Sequence, residues 1–202
     1  MAEVDVTILD WVALARQGDQ DAFAELVYTF QDAVYNLCYR MLGERTEAED
    51  STQEAFIRAY LHLNRYDTER SFKTWILSIA SNHCIDRLRK RRLKWMSLDE
   101  PLPSGNALAI SSDEPTPEEA TLKTERGHLI QALLNELPPD YRAAVVLRYW
   151  YDYSYTEIAE TLETTESAIK SRLFRARQTL AEKMRPQTAT ADDLINPLLE
   201  GN

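Results

Sequence analysis

The chain of 202 residues carries a formal net charge of -10, and 44% of its residues are hydrophobic while 28% are charged. This composition suffices for one or two modest buried cores, and no run approaches the roughly 18 apolar residues that would span a bilayer. Because the chain has only five glycines and few alternating Val, Ile and Thr residues, we expect an all-α protein without membrane insertion.

Two features predict a cytoplasmic location. The N-terminus lacks the charged and then apolar segments of a signal peptide. Cys38 and Cys84 both lie in apolar or helical surroundings, and two such cysteines indicate reduced core thiols rather than a disulfide framework.

Apolar residues spaced three and four apart predict three helices in the first part of the chain. The first ends near Gly18. The second is capped by Asp19 and ends at Gly43. Residues 46–49 (TEAE) have the pattern of a capping box, which opens a third helix that runs to about Leu63.

One face of the third helix carries a polar stripe that ends in an apolar residue, namely Asp50, Gln53, Glu54 and Ile57. Acidic residues stabilise a helix N-terminus, which accounts for the acids nearest the start of the helix. This effect accounts less well for Gln53 and Glu54. The stripe is therefore either a consequence of helix polarity or a docking face for another protein.

The next helix, within residues 71–94, begins amphipathic and ends strongly basic. Six of the eight residues at 87–94 are Arg or Lys, and the predicted contact residues among them are Arg87, Arg89, Lys90, Arg91 and Arg92. One or two cations would complement the carbonyl end of a helix. A cluster of six in an acidic chain instead predicts contact with a polyanion, for which a nucleic-acid backbone is the usual candidate.

After this helix the sequence loses its periodicity and becomes rich in Pro, Ser and acids. We therefore expect a first domain at 1–94, a flexible linker at 95–115, a second domain at 116–185 and a tail at 186–202. Pro117 is expected at the first helical position of the second domain, and Pro139 at that of its next helix.

The second domain ends in the pattern of a helix-turn-helix. Residues 154–157 (SYTE) form a capping box for a short helix, and a break at 163–165 leads into a longer basic helix that runs to Met184. The turn lacks the glycine that is common there. At 3.6 residues per turn, the outward face of the longer helix comprises Ser167, Lys170, Ser171, Phe174, Arg175 and Gln178.

This outward face predicts DNA reading. A solvated face rarely displays a residue such as Phe174, whereas a DNA-reading face can place it against a thymine methyl group or a sugar. Arg175 and Lys170 can each donate to guanine in the major groove.

The chain resembles bacterial RNA polymerase sigma factors of the extracytoplasmic-function group. The resemblance is carried by AEDSTQEAFIRAY (48–60), RYDTERSFKTWILSIASNHCIDRLRKRR (65–92) and LPPDYRAAVVLRYWYDYSYTEIAETLETTESAIKSRLFRARQTL (137–180). It implies a factor that docks on the clamp helices of the largest subunit of core RNA polymerase through residues 50–57. It also implies recognition of −10 and −35 promoter elements, help in melting the duplex, and an anti-sigma partner.

The resemblance also implies which residues read the −10 element. A loop and the first turns of the following helix would capture a flipped base, and the matching positions are Arg65, Tyr66, Phe72, Trp75 and Asn82, together with the basic end of the helix. Without the resemblance, the pattern favours a role in the core for Trp75. Ser167 and Ala168 stand where the family usually has Gly-Thr, which bears on the −35 preference.

Two other classes of function fit the sequence less well. Three scattered histidines, no phosphate-binding Gly-rich loop and no evident carboxylate pair predict that the chain is not an enzyme and holds neither cofactor nor metal. The alternative is a polymerase-independent helix-turn-helix regulator whose first domain senses a ligand or dimerises. Such a domain would not need a basic helix end beside an acidic docking face.

Overall fold

A computed structural model describes residues 2–96 and 117–184 of the chain. These residues form eight α-helices and one 3₁₀ turn, with no strand among them, so the all-α prediction is confirmed. The elements are α1 (Ala2–Arg16), α2 (Gln20–Leu42), α3 (Arg45–His62), the 3₁₀ turn (Leu63–Arg65), α4 (Phe72–Met96), α5 (Pro117–Asn135), α6 (Pro139–Trp150), α7 (Tyr155–Thr161) and α8 (Glu166–Met184).

The described residues belong to two compact units. Among the described residues, one unit contains residues 2–86 with 161–163, and the other contains residues 87–96, 117–160 and 164–184. The helix α4 is continuous past the predicted domain end at residue 94. The predicted linker from residue 97 onward and the predicted tail at 186–202 lie outside the described residues, so the division into two domains joined by a linker stays a prediction.

The core of the first unit is centred on α2, which packs against both α1 and α3. Phe30 of α2 also contacts Phe72 of α4, with ring centroids 5.2 Å apart. The α2 side chains buried there are Ala22, Leu26, Phe30, Val34, Leu37, Cys38, Met41 and Leu42. Each large apolar side chain in such a set contributes about 1.5–3 kcal/mol by leaving water. Cys38 and Cys84 are buried and not joined by a disulfide, as the sequence predicted.

The helix ends test the predicted caps. The Asp19 carboxylate accepts a hydrogen bond from the Ala22 amide at 3.0 Å, and Gly43 ends α2 with φ at 78°, as predicted. The predicted capping box at residues 46–49 is wrong. The carboxylate of Glu44 accepts from the amides of Thr46 at 3.0 Å and Glu47 at 2.7 Å, so these amides are satisfied by a residue that precedes the predicted box.

In the second unit, α6 packs against α8 and begins at Pro139, as predicted. The buried Arg142 of α6 joins this helix to the end of α5. Its guanidinium donates to the Asn135 carbonyl at 3.0 Å and to the Asn135 side-chain oxygen at 3.1 Å. Burial lowers the pKa of Arg142 to about 10, so the group remains charged at neutral pH and its hydrogen bonds are charge-assisted.

The helix-turn-helix geometry is built by two local features. At the start of α7, the Ser154 amide donates to the Glu157 carboxylate at 2.7 Å and the Glu157 amide donates to the Ser154 hydroxyl at 3.2 Å, so this capping box is confirmed. In the turn before α8, Glu163 has φ at 50°. A left-handed residue is thus present where a glycine is common, which keeps the turn short without one.

Candidate functional site

The helix α8 separates a buried face from an exposed one as its sequence predicted. Ile169, Leu173, Ala176 and Leu180 are buried. All six predicted −35 residues are exposed, namely Ser167, Lys170, Ser171, Phe174, Arg175 and Gln178. Phe174 is 56% exposed, a large fraction for an aromatic ring in a helix that is packed on its other side. Because the buried face meets its packing needs, the exposed face is available to a ligand.

The start of α8 is fixed by a cap from the preceding turn and by contacts with α7. The Thr165 hydroxyl accepts from the Ala168 amide at 3.2 Å, and the Thr156 hydroxyl donates to the Glu166 carboxylate at 2.6 Å. Glu166 is also an ion-pair partner of Lys170 at 3.8 Å. The Lys170 ammonium lies 5.9 Å from the centre of the Tyr155 ring. The first turns of α8 are therefore oriented by side chains from the preceding helix.

Farther along α8, two arginines meet residues at the start of α6. The Arg175 guanidinium donates to the Tyr141 hydroxyl at 3.3 Å, and Arg172 lies 3.7 Å from a carboxylate oxygen of Asp140. Arg172 is half-buried and was not among the predicted contacts. Its neighbouring acid makes it a support for α8, whereas Arg175 extends from the exposed face.

The basic end of α4 is also accessible. Arg89, Lys90, Arg91 and Arg92 are exposed, and Arg87 is half-buried. One Arg89 nitrogen lies 2.9 Å from each carboxylate oxygen of Asp140. The Arg89 side chain is 55% exposed and that of Asp140 is 27% exposed, so the pair is partly solvated and its net stabilisation is small, about 0–1 kcal/mol. A phosphate group can therefore compete with the carboxylate for Arg89.

The loop before α4 places two of its predicted contact residues in the core. Tyr66 is 4% exposed and Phe72 is 2% exposed. Their ring centroids are 5.4 Å apart, and both rings contact Trp75, at 5.0 Å and 5.4 Å respectively. The Tyr66 hydroxyl donates to the Arg70 carbonyl. The two buried rings therefore support the loop from within, while the side chains of residues 67–71 remain exposed.

The accessible part of this region comprises the loop and one face of α4. Arg65 is exposed, while Trp75 and Asn82 are half-buried. Within residues 2–96 and 117–184, the side-chain amide of Asn82 has no hydrogen-bonding partner. Asn82 is seven positions after Trp75, so the two residues lie two turns apart on nearly the same face of the helix. A stacking surface and an amide able to pair with a base edge thus share one face.

The predicted docking stripe on α3 is accessible along its length. Asp50 and Gln53 are exposed, Glu54 is half-buried, and Ile57 is 55% exposed. The Arg58 guanidinium donates to Glu54 at 2.6 Å and lowers the pKa of that carboxyl. Leu61, one turn beyond Ile57, is 69% exposed and was not predicted. The α3 face is defined here as Asp50, Gln53, Glu54, Ile57 and Leu61, a polar stripe that ends in two exposed aliphatic residues.

No helix in the described parts of the chain combines the length and the apolar character that crossing a membrane requires.

Both modules match known families. The sigma-70 region 2 family model matches residues 26–94, and the sigma-70 region 4 family model matches residues 127–180. The basic end of α4 thus falls in the first match and the helix-turn-helix in the second.

Two curated relatives span most of this chain. The chain is 39% identical over 186 residues to the ECF RNA polymerase sigma factor SigW of Bacillus subtilis. This match covers 90% of this chain and 99% of that protein. It is 37% identical over 169 residues to the ECF RNA polymerase sigma factor SigE of Mycolicibacterium smegmatis. This second match covers 82% of this chain and 63% of that protein.

Two solved structures share the fold. CnrH in complex with the cytosolic domain of CnrY aligns with a TM-score of 0.64 at 22% identity, over 90% of this chain and 99% of that one. RpoE in complex with the anti-sigma factor NepR, from Bartonella quintana, aligns with a TM-score of 0.62 at 21% identity, over 81% and 96%.

A helix-turn-helix with an exposed reading face, together with a second basic helix, defines a DNA-binding transcription protein. The two family models and the extent of the match to SigW specify which kind. The chain belongs to the extracytoplasmic-function (ECF) family of RNA polymerase sigma factors. It is therefore a transcription initiation factor, and the alternative of a polymerase-independent regulator is not favoured.

Proposed function

We propose that the chain is a dissociable initiation subunit that docks on the clamp helices of core RNA polymerase through the α3 face and directs the enzyme to −10 and −35 promoter elements. The observation that carries this proposal is the α3 face itself. Its exposed aliphatic residues, Ile57 and Leu61, lie beside polar groups on a helix whose opposite side already packs in the core. Such a face suits a protein partner, because apolar anchors surrounded by polar groups are typical of interfaces.

The two family regions bind different promoter elements. The exposed face of α8 reads the −35 element in the major groove, where Arg175 and Lys170 address guanine. The loop before α4, with Trp75 and Asn82, captures a −10 base after it leaves the stack. The basic end of α4 binds phosphates on either side of that base. No step requires catalysis, so we assign the chain no enzymatic activity.

The partner that holds the factor inactive is proposed to be an anti-sigma protein. CnrH and RpoE are each described in complex with such a cytosolic or anti-sigma partner, and this chain shares their fold. We accordingly assign its action to the bacterial cytoplasm, where polymerase and promoter DNA are present.

Run-off transcription with core RNA polymerase on a genomic promoter library tests the proposal as a whole. We expect transcripts from a limited set of promoters that share a −35 and a −10 element, and none when the chain is omitted. Transcription from every fragment, or from none, would contradict promoter selection by this factor.

Asn82→Ala is expected to impair discrimination at one position of the −10 element more than it impairs assembly with polymerase. A bidentate amide contact to a base edge contributes about 1–3 kcal/mol, so the preference at that position should fall by about 5- to 150-fold. Promoter melting on base-substituted templates measures this loss.

The matched control is Asn36→Ala, the same substitution at an exposed position of α2. If Asn82→Ala instead lowers thermal stability and leaves the base preference intact, Asn82 serves to hold α4 to its neighbours.

A further inference from the structure

Arg16, the last residue of α1, contacts the loop that precedes α4. Its Nε donates to the Leu63 carbonyl at 3.1 Å, and its Nη2 donates to the Tyr66 carbonyl. The guanidinium carbon also lies 5.9 Å from the centre of the Tyr66 ring. One side chain thus binds the carbonyl of the first residue of the 3₁₀ turn and that of the residue that follows the turn. Arg16 precedes residue 26, where the sigma-70 region 2 match begins.

The chemistry of this contact favours arginine. The carbonyls at the end of a helix carry partial negative charge and lack helical partners. A planar guanidinium offers several donors in a fixed arrangement, so it can bind two carbonyls at once, whereas an ammonium is a point charge on a flexible stem. The Leu63 carbonyl also accepts from the Tyr66 amide at 3.1 Å, and this bond closes the turn. Arg16 therefore fixes the direction in which the chain leaves α3.

Tyr66 connects the Arg16 contact to the loop before α4 and to Trp75, which are proposed to capture the −10 base. Its carbonyl is held by Arg16, its hydroxyl donates to the Arg70 carbonyl, and its ring contacts Trp75 with centroids 5.0 Å apart. The loop between Tyr66 and α4 contains a turn, in which the Arg70 amide donates to the Asp67 carbonyl at 3.1 Å. The loop and the indole are thus connected through Tyr66 to a single cation on α1.

We propose that Arg16 is a positioning residue that holds the loop at residues 65–71 and the Trp75 ring in the conformation that captures a −10 base. This inference rests on the proposed function of that loop. Arg16 does not touch the base itself; it restricts the loop before DNA arrives, so that less ordering is needed on binding. Its loss should spare docking on polymerase, because the α3 face is built from other residues.

The first experiment needs no DNA. Amide hydrogen exchange of the full-length protein is compared for wild type, Arg16→Ala, Arg16→Lys and the control Gln17→Ala, an exposed neighbour. Loss of the charge-assisted hydrogen bonds should accelerate exchange at residues 64–71 by about tenfold or more in Arg16→Ala. Arg16→Lys should accelerate it nearly as much, because one ammonium cannot replace the bidentate contact. Unchanged exchange in Arg16→Ala would overturn the inference.

The second experiment measures base preference in complex with core polymerase. It uses forked promoter DNA, taken from a promoter that the wild-type factor transcribes, with each −10 base of the unpaired strand substituted in turn. We expect Arg16→Ala and Arg16→Lys to reduce the preference at the captured position by about tenfold, and Gln17→Ala to leave it unchanged. Equal preference in Arg16→Ala and wild type would also overturn the inference.

The two failures are distinguishable. If wild type itself shows no base preference in this region, the proposed role of the loop fails, whatever Arg16 does to exchange. If wild type discriminates but full preference returns in Arg16→Lys, charge alone suffices and the positioning role is rejected. Should Arg16→Ala not fold, Arg16→Gln keeps one donor for these carbonyls and takes its place in both measurements.

Discussion

Replacing Asp50, Gln53 and Glu54 together by alanine is expected to weaken binding to core RNA polymerase by about 30- to 1000-fold, or about 2–4 kcal/mol. Asp50 and Gln53 are exposed and Glu54 is half-buried, so their removal leaves no cavity in the core. The solvated Glu54–Arg58 ion pair is lost as well, but an ion pair in contact with water adds little to helix stability. The helix content and the melting temperature should therefore change little.

A matched control is available on α2. Glu25, Gln31 and Asp32 are exposed and have the same three side-chain types, so their joint replacement removes the same charge from another face. Affinity for polymerase, measured by titration with labelled factor, should fall only for the α3 variant. Equal affinities for the two triple variants would remove the docking assignment, and the acids of α3 would then be explained by helix polarity.

Ile57→Ala tests the apolar end of the α3 face. The structure shows that Leu61 belongs to the same end, so Leu61→Ala is part of the test. Both side chains are more than half exposed, at 55% and 69%. The α3 face could be read from the sequence as far as Ile57 because a helical stripe needs only the residue spacing. Leu61 was missed because an apolar residue near a helix end is more often part of the core, and only its exposure distinguishes the two cases.

Arg175→Ala is expected to cost about 1–3 kcal/mol in promoter affinity and to relax the preference at one −35 base pair. The guanidinium fits the O6 and N7 of guanine, and its present neighbour, the Tyr141 hydroxyl at 3.3 Å, is a weak competitor. Lys183→Ala is the control, since this cation lies on the same helix and pairs with Glu136 at 2.6 Å. A uniform loss on all −35 sequences would assign Arg175 to phosphate binding.

Neutralising Arg89, Lys90 and Arg91 should weaken binding without changing the base preference, in contrast to Arg175→Ala. All three are exposed, and an exposed cation on a helix end suits the phosphate backbone. Binding of the polymerase complex should weaken on every promoter. The slope of log affinity against log salt should fall by about 0.9 for each phosphate that the variant no longer neutralises. A changed base preference with an unchanged salt slope would contradict this assignment.

The helix α8 shows how much of the structure sequence periodicity can predict. Its buried and exposed residues follow from 3.6 residues per turn, because one face of the helix is buried and packs against α6. The loop before α4 shows the limit. Tyr66 and Phe72 are buried because each ring meets other aromatic rings, including Phe30 of α2, and such contacts leave no local pattern in the sequence. The role of Arg16 could not be predicted for the same reason, since its partners are 47 and 50 residues away.

The N-cap of α3 was missed for a different physical reason. Glutamate is uncommon as a capping residue, whereas Thr followed three residues later by Glu is a familiar capping pattern. Here the longer Glu44 side chain reaches two amides, and Glu49 instead accepts from Arg45 at 2.9 Å. The helix therefore begins one residue before the threonine that the pattern singled out.

The most direct test of the central proposal is a titration of promoter variants with the full-length protein, with and without core RNA polymerase, at several salt concentrations. We expect weak and sequence-independent binding by the protein alone, because its net charge is -10. With polymerase, we expect tight binding that depends on both the −35 and the −10 element. Tight and sequence-specific binding by the protein alone, unchanged when polymerase is added, would contradict the proposal and return the chain to the class of ordinary helix-turn-helix regulators.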